Sequence, residues 1–129
     1  MIGIIVVAHG KLAEELVNAS QMIVGELDNV RAVSVGWDDD VSEARERLRS
    51  SIKQLDQGEG VLILTDMFGG TPSNLSLSFL GRYHVEVITG VNTPMVLRVP
   101  TAREKEKNLE DLARFIKDYG QKKIGRAHV

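Results

Sequence analysis

The chain has 129 residues, of which 43% are hydrophobic and 26% charged, a composition typical of one soluble globular domain that buries its own core. A formal net charge of −2 argues against nucleic acid as a partner, and the lack of cysteine excludes disulfides, thiol catalysis and cysteine metal sites. Because no apolar run approaches the ~20 residues of a membrane helix and no signal-peptide pattern opens the chain, we predict a single cytoplasmic domain over residues 1–129.

The first part of the chain alternates between strand and helix patterns. Residues 2–8 form an apolar, β-branched run, which is typical of a strand buried on both faces. Residues 11–24 follow with helical spacing, and Gly25 is suited to end that helix. The apolar residues at this spacing are Leu12, Leu16, Ala19 and Ile23. An alternating pattern over residues 30–35 then predicts a second strand.

A second amphipathic helix is predicted after the loop 36–40, where Asp40 can cap its first turn. Its apolar residues recur every three or four positions, at Val41, Ala44, Leu48, Ile52 and Leu55. Residues 61–65 predict a third strand. A short helix is expected over residues 71–80, because Pro72 fits the first helical turn.

The remaining residues predict one more strand and two helices. The strand covers residues 85–89, a short helix covers 95–99, and a final amphipathic helix covers 108–119. This alternation predicts an α/β fold, a doubly wound parallel four-stranded sheet with helices on both faces. We expect the strand order 2-1-3-4, in which the first and third strands are neighbours.

One histidine and one aspartate follow neighbouring strands of this predicted sheet. The carboxyl ends of parallel strands share one edge, and ligands bind there at the topological switch point. His9 follows the first strand and Asp66 follows the third, so the two side chains are expected to face each other. His84 precedes the fourth strand and belongs at the opposite edge, and His128 lies near the end of the sequence. Only His9 is therefore placed to act in a site.

Three kinds of chemistry are open to a histidine paired with an aspartate. A metal site needs three or four ligands, and only the aspartates of residues 38–40 could add to His9, so we predict no metal. A serine hydrolase is disfavoured because Ser73 does not lie in a Gly-x-Ser-x-Gly elbow. A nucleophilic histidine fits better, since Asp66 can fix the tautomer and leave the other ring nitrogen free.

Polar and aromatic residues near this edge are candidates for phosphate binding and partner docking. The predicted phosphate-binding residues are Gly69, Gly70, Thr71 and Ser73, because the start of a helix after a glycine turn is a natural anion site. The predicted docking residues are Trp37, Phe68 and Asn92, with the acidic residues 38–40 beside Trp37. Each pattern alone also fits an ordinary turn or a solvated loop.

Three motifs, in order along the chain, resemble the IIA component of mannose-type sugar phosphotransferase systems. They are Ala8-His9-Gly10, Thr65-Asp66-Met67-Phe68-Gly69-Gly70-Thr71-Pro72-Ser73-Asn74 and Ile88-Thr89-Gly90-Val91-Asn92-Thr93-Pro94-Met95. The resemblance covers essentially the whole chain. It departs at Phe68, where many relatives carry tryptophan, and at Thr71, where serine is common.

The resemblance implies a phosphocarrier that needs no cofactor. His9 would accept a phosphoryl group from the carrier protein HPr and pass it to a IIB component, with Asp66 orienting the ring. The protein would reach the membrane only through the IIC/IID permease, and the identity of the sugar is not encoded here. A C-terminal antiparallel strand, residues 122–129, would be exchanged within a homodimer. The alternatives are a regulatory phospho-sensor and the phosphotransferase subunit of a dihydroxyacetone kinase.

Overall fold

Four parallel strands form one sheet in the computed structural model, which describes residues 1–127. The strands are β1 (Gly3–His9), β2 (Val30–Val35), β3 (Val61–Thr65) and β4 (Val85–Thr89). The helices are α1 (Leu12–Val24), α2 (Val41–Leu55), α3 (Thr71–Leu77), α4 (Thr93–Lys105) and α5 (Leu109–Lys122). The sheet order β2-β1-β3-β4 confirms the predicted doubly wound topology. Within residues 1–127, no helix has the length and apolar character needed to cross a membrane.

The sheet is buried on both faces because its strands carry apolar side chains at successive positions. Ile4 and Val6 pack into a core on one face, with buried residues of α1, α4 and α5. Ile5 and Val7 pack into a core on the other face, with buried residues of α2 and α3. All four side chains are fully buried. The alternation along β1 therefore accounts for the helices on both faces of the sheet.

The strand register carries His9 beyond the end of the neighbouring strand. The β1–β3 ladder ends with Val7 opposite Thr65, whereas the β1–β2 ladder continues until His9 lies opposite Val35. β1 is thus two residues longer than β3 at the carboxyl edge. His9 consequently lies level with the loop that follows β3.

Helix α4 is longer than the short helix predicted over residues 95–99. It spans thirteen residues and contains Pro100, whose missing N–H usually ends or kinks a helix. Its buried side chains are Met95, Val96, Val99, Ala102 and Arg103, a helical stripe that ends in a charged residue. The other differences are smaller: α3 ends three residues before the predicted Leu80, and α5 extends three residues past the predicted Tyr119.

The buried face of α1 is shifted by one residue from the predicted stripe. The structure buries Ala13, Val17 and Ser20, while Leu12 and Ile23 are 46% and 64% exposed. The buried side chains are small or β-branched, and the Ser20 hydroxyl donates to the Leu16 carbonyl at 2.7 Å. A helix with such a face can lie close to the sheet without burying an unpaired polar group.

The C-terminal exchanged strand stays a prediction. Residues 124–127 have no regular secondary structure, and His128 and Val129 lie outside the described residues. Among residues 1–127, β4 pairs with β3 and with no other strand. The outer edge of β4 is therefore open to a further strand.

Candidate functional site

His9 and Asp66 lie in contact at the carboxyl edge of the sheet. The ring Nδ1 of His9 lies 2.7 Å from Oδ2 of Asp66, and the backbone N–H of His9 donates to the same oxygen at 3.0 Å. The second carboxylate oxygen, Oδ1, accepts from the backbone N–H of Met67 at 3.1 Å. An ionised carboxylate can only accept hydrogen bonds, so Nδ1 carries the hydrogen of this contact. In a neutral ring the lone pair is then on Nε2.

The carboxylate is well suited to stay ionised. Its side chain is 12% exposed, against 48% for His9. Burial raises the pKa of Asp66, but the hydrogen bonds from the ring and backbone of His9, together with the His9 charge, outweigh burial and hold the pKa below its ordinary value. Asp66 therefore remains an acceptor at neutral pH and keeps the ring oriented.

Gly70 lies against the opposite side of the imidazole, beside Nε2. A Cβ built on Gly70 would lie 3.0 Å from Nε2 and 3.1 Å from Cε1 of His9, closer than side chains normally approach. Gly70 also has φ +86°, in the left-handed region that favours glycine. Within residues 1–127, no side chain caps α3 at this residue. The turn thus leaves both space and backbone donors at the start of α3.

A cleft of about 460 Å³ opens beside the ring. Its lining combines the ends of β1 and β2 with the start of α3: His9, Gly10, Val35, Gly36, Trp37, Gly70 and Thr71. Four of the predicted site residues, namely His9, Gly70, Thr71 and Trp37, thus line one cleft, and a fifth, Asp66, contacts His9. Sequence reasoning missed Gly10, Val35 and Gly36 as lining residues, although each lies at or directly after the end of a strand.

Exposed apolar side chains surround this edge. Trp37, in the loop between β2 and α2, is 99% exposed. Phe68 is 74% exposed and follows Asp66 in the loop after β3, with Met67 half-exposed beside it in sequence. Such residues are typical of the apolar part of a docking surface.

Ser73 does not line the cleft, and its predicted role in phosphate binding stays a prediction. The residue is fully buried, and its hydroxyl has no hydrogen-bond partner among the described residues. Ser73 is the third residue of α3 and its side chain is buried, whereas Thr71, the first residue, lines the cleft. A group entering the cleft from solvent therefore meets Thr71 and not the Ser73 hydroxyl.

Asn92 has a structural role, and its predicted docking role stays a prediction. Its Oδ1 accepts from the backbone N–H of Met95 at 3.1 Å and caps α4. Its Nδ2 donates to the Gly120 carbonyl in α5 at 3.1 Å. Both ends of the amide are thus used inside the chain. Asn92 therefore links the start of α4 to α5.

A larger cleft lies elsewhere. It measures about 700 Å³, lies between β2 and α2, and is lined by residues such as Arg31, Glu46 and Gln54 but by no histidine. Among residues 1–127, no three histidine, aspartate or glutamate side chains converge to hold a metal ion. The His9 edge is therefore the best candidate for chemistry, on the geometry of its side chains and not on the size of its cleft.

Fold and site together define a doubly wound α/β protein with a carboxylate-oriented histidine at its topological switch point. The free Nε2 faces a glycine turn at the start of a helix. This arrangement suits the transient transfer of an anionic group onto the ring.

Comparison with known proteins identifies the family. The family model described as the PTS system fructose IIA component matches residues 3–117. The fructose-specific EIIA component of Bacillus subtilis (strain 168) is 34% identical over 122 residues, which cover 94% of this chain and 83% of that protein. The mannose-specific EIIAB component of Escherichia coli (strain K12) is 31% identical over 124 residues, which cover 95% of this chain and 38% of that protein. The chain belongs to the mannose- and fructose-type IIA family of phosphotransferase systems.

Solved structures agree with this assignment. The mannose/sorbose specific IIA subunit of Enterococcus faecalis superposes with a TM-score of 0.88 at 30% identity, covering 99% of this chain and 96% of that chain. The predicted family resemblance is thereby confirmed. The chain spans only 38% of the length of the mannose-specific EIIAB relative, whose name includes a second component.

Proposed function

We propose that the protein is a phosphocarrier that accepts a phosphoryl group from phospho-HPr on Nε2 of His9 and passes it to a IIB component. The observation that carries the proposal is the 2.7 Å contact between Nδ1 and Asp66, which leaves Nε2 facing the Gly70 turn. Membership in the IIA family supports the choice of donor and acceptor. The regulatory and dihydroxyacetone-kinase alternatives are not favoured by the relatives found.

The transfer step balances within the two rings. The Nε2 lone pair of His9 forms a bond to phosphorus while the P–N bond of the donor phosphohistidine breaks and its electron pair returns to the donor ring. The hydrogen on Nδ1 stays on His9, where Asp66 stabilises the positive charge that develops on the imidazole. Because the donor is already activated, the protein contributes positioning and electrostatic stabilisation.

Backbone groups at the start of α3 are the proposed phosphate ligands. Gly70 and Thr71 line the cleft, and they are the N-cap and the first residue of α3, where backbone N–H groups lack a partner within the helix. Gly69 completes the turn with φ +87°. Preorganised donors of this kind stabilise charge on a transferring group without reorganising. The same groups would serve both the acceptance and the release of the phosphoryl group.

Phosphorylation with phospho-HPr tests the proposal. Phosphorus NMR of the product is expected to report a phosphohistidine substituted at Nε2, and addition of a IIB component should discharge it. Substitution at Nδ1 would contradict the proposed role of Asp66. A stable phosphoprotein that no IIB component discharges would favour a regulatory role over transfer.

Replacement of Asp66 by asparagine is expected to slow phosphorylation of His9 by about 10- to 100-fold, the usual effect of losing a carboxylate that orients a histidine. The amide can still accept from Nδ1, but it lacks the charge that stabilises the imidazolium. Asp118→Asn, at an exposed position of α5 that does not line the cleft, removes the same charge and serves as the control. Stopped reactions analysed by mass spectrometry give both rates. Equal rates for the Asp66 variant and the control would contradict the orienting role.

We further propose, as the family resemblance implies, a cytoplasmic homodimer that exchanges the C-terminal segment after α5 and is linked to the membrane only through IIC/IID partners. Among the residues that the structure describes, no strand pairs with the outer edge of β4, and Ile124 is exposed, so an added strand would cover both. Light scattering after size exclusion is expected to give twice the 14.2 kDa mass of one chain. A mass of one chain at micromolar concentration would contradict the dimer.

A further inference from the structure

The position of Trp37 depends on the backbone that carries it. The side chain is 99% exposed, so it has almost no packing partners of its own. It lies in the loop 36–40 between β2 and α2, and it lines the cleft beside His9. A side chain held by so few contacts presents a defined surface only if its loop is held.

Asp39 closes this loop from the inside. Its Oδ2 accepts from the backbone N–H of Gly36 at 2.7 Å, and its own N–H donates to the Gly36 carbonyl at 3.3 Å. A Cβ at Gly36 would lie 3.1 Å from Oδ1 of Asp39, so the small residue lets the carboxylate approach. The two residues that flank Trp37 and Asp38 are thereby joined.

Arg47 ties the closed loop to helix α2 and to strand β2. Its Nη2 donates to Oδ2 of Asp39 at 3.0 Å, and its Nη1 donates to the Ser34 carbonyl at 3.0 Å. Ser34 precedes the loop and Asp39 follows Trp37, so one guanidinium holds the chain on both sides of the tryptophan. Two N–H groups in a fixed fork are needed for this, which lysine cannot supply.

The neighbouring aspartate has a different task. Asp40 accepts from the backbone N–H of Ser42 at 2.9 Å and caps α2. Two of the three carboxylates in residues 38–40 therefore serve the loop and helix themselves. In the sequence, residues 38–40 look like an acidic docking surface. In the structure, Asp39 and Asp40 bond within the chain, so Trp37 and Asp38 are the residues of this loop that we expect a partner to contact.

We propose that Arg47 and Asp39 are positioning residues that hold Trp37 at the rim of the cleft for docking of the phosphoryl donor. The docking part of this inference rests on the proposed function. The holding part does not, because it concerns the free protein alone. Neither residue touches the transferred group, so both act through Trp37.

The free protein tests the holding part through fluorescence. Trp37 is the only tryptophan of the sequence, so its anisotropy reports the mobility of this loop directly. Arg47→Ala is expected to lower the anisotropy, Arg47→Lys to restore it in part, and Asp39→Asn to lower it as well. Arg49→Ala removes the same charge from the same helix, where Arg49 bonds Tyr83 and Glu46, and is expected to leave the anisotropy unchanged.

Kinetics with phospho-HPr test the docking part. Arg47→Ala is expected to raise KM about two- to fivefold, the factor that corresponds to the coupling of an exposed ion pair, with kcat unchanged. Circular dichroism checks that each variant folds. If Arg47→Ala does not fold, the KM of Asp39→Asn is measured in its place.

The outcomes separate the two parts. Equal anisotropy in Arg47→Ala, Asp39→Asn and wild type would overturn the holding role. Lower anisotropy with an unchanged KM would overturn the docking role. If the wild type itself takes no phosphate from phospho-HPr, the proposed function fails, while the anisotropy still decides whether Arg47 and Asp39 hold Trp37.

Discussion

Replacement of His9 by alanine is expected to abolish phosphorylation by phospho-HPr. The substitution removes Nε2, the proposed attacking atom, and no neighbouring side chain in the described site offers an equivalent nucleophile with a carboxylate partner. Intact-mass analysis after incubation with the phosphorylated donor measures the effect. Wild type should gain one phosphoryl group per chain, and the variant none.

His84→Ala is the matched control for this loss. His84 is exposed and directly precedes β4, at the edge of the sheet opposite to His9. Its removal is expected to leave phosphorylation at the wild-type level. Equal phosphate uptake by wild type and His9→Ala, or a loss of uptake in His84→Ala alone, would refute the assignment of His9.

His9→Ala is also expected to change the pKa of Asp66. The ring of His9 contributes a hydrogen bond and a charge that lower the pKa of this carboxyl, while burial raises it. Removal of the ring leaves burial opposed by the backbone bonds alone, so the pKa of Asp66 is expected to rise in His9→Ala. An NMR titration of the carboxyl carbon in both proteins measures this change. An unchanged pKa would show that the two side chains do not interact in solution.

The strands and the switch point could be predicted because they depend on local patterns. A strand buried on both faces is marked by its unbroken apolar run, as in residues 2–8 and 61–65. Once the strands alternate with helices, topology alone brings the ends of β1 and β3 to one edge. The contact of His9 with Asp66 therefore follows from sequence order, without any knowledge of side-chain geometry.

Helix faces were harder to predict, because apolar side chains do not by themselves say which face packs. α1 carries them on more than one face, and the stripe through Leu12 and Ile23 is as regular as the buried one through Ala13 and Val17. The face of α1 with the smaller side chains packs on the sheet, because small side chains allow the helix and the sheet to pack more closely. In α4 the buried stripe ends in Arg103, whose guanidinium donates to the carbonyls of Ile2 and Asp28. A buried arginine leaves no apolar signal in the sequence.

The sequence pattern does not predict the role of a side chain whose hydrogen-bond partner lies far away in the sequence. Asn92 looks like a site residue in its motif, but its amide bonds Gly120, which lies 28 residues further along the chain. Arg47 looks like an ordinary solvated helix residue until its contacts with Ser34 and Asp39 are known. Such partners are chosen by the folded geometry, so only the structure distinguishes a docking side chain from one that holds the fold together.

Replacement of Gly70 by alanine is expected to lower the rate of His9 phosphorylation by about a hundredfold, the scale expected when reacting atoms are displaced by about 1 Å. The added methyl group would lie 3.0 Å from Nε2, in the space that the phosphorus atom must enter. The φ of +86° adds backbone strain of about 1–2 kcal/mol, which lowers stability as well. Rapid-quench kinetics with phospho-HPr and urea unfolding measure the two effects separately.

Gly69→Ala separates the two causes, because Gly69 has nearly the same φ of +87° but nothing within 4 Å of its added Cβ. Both variants should lose free energy of unfolding, since both place alanine at a φ that favours glycine. Only Gly70→Ala should lose most of its phosphorylation rate, since only its methyl group meets the ring. Equal loss of rate in both variants would show that the turn conformation matters and the clearance in front of Nε2 does not. An undiminished rate in Gly70→Ala would mean that the phosphoryl group approaches His9 from another side.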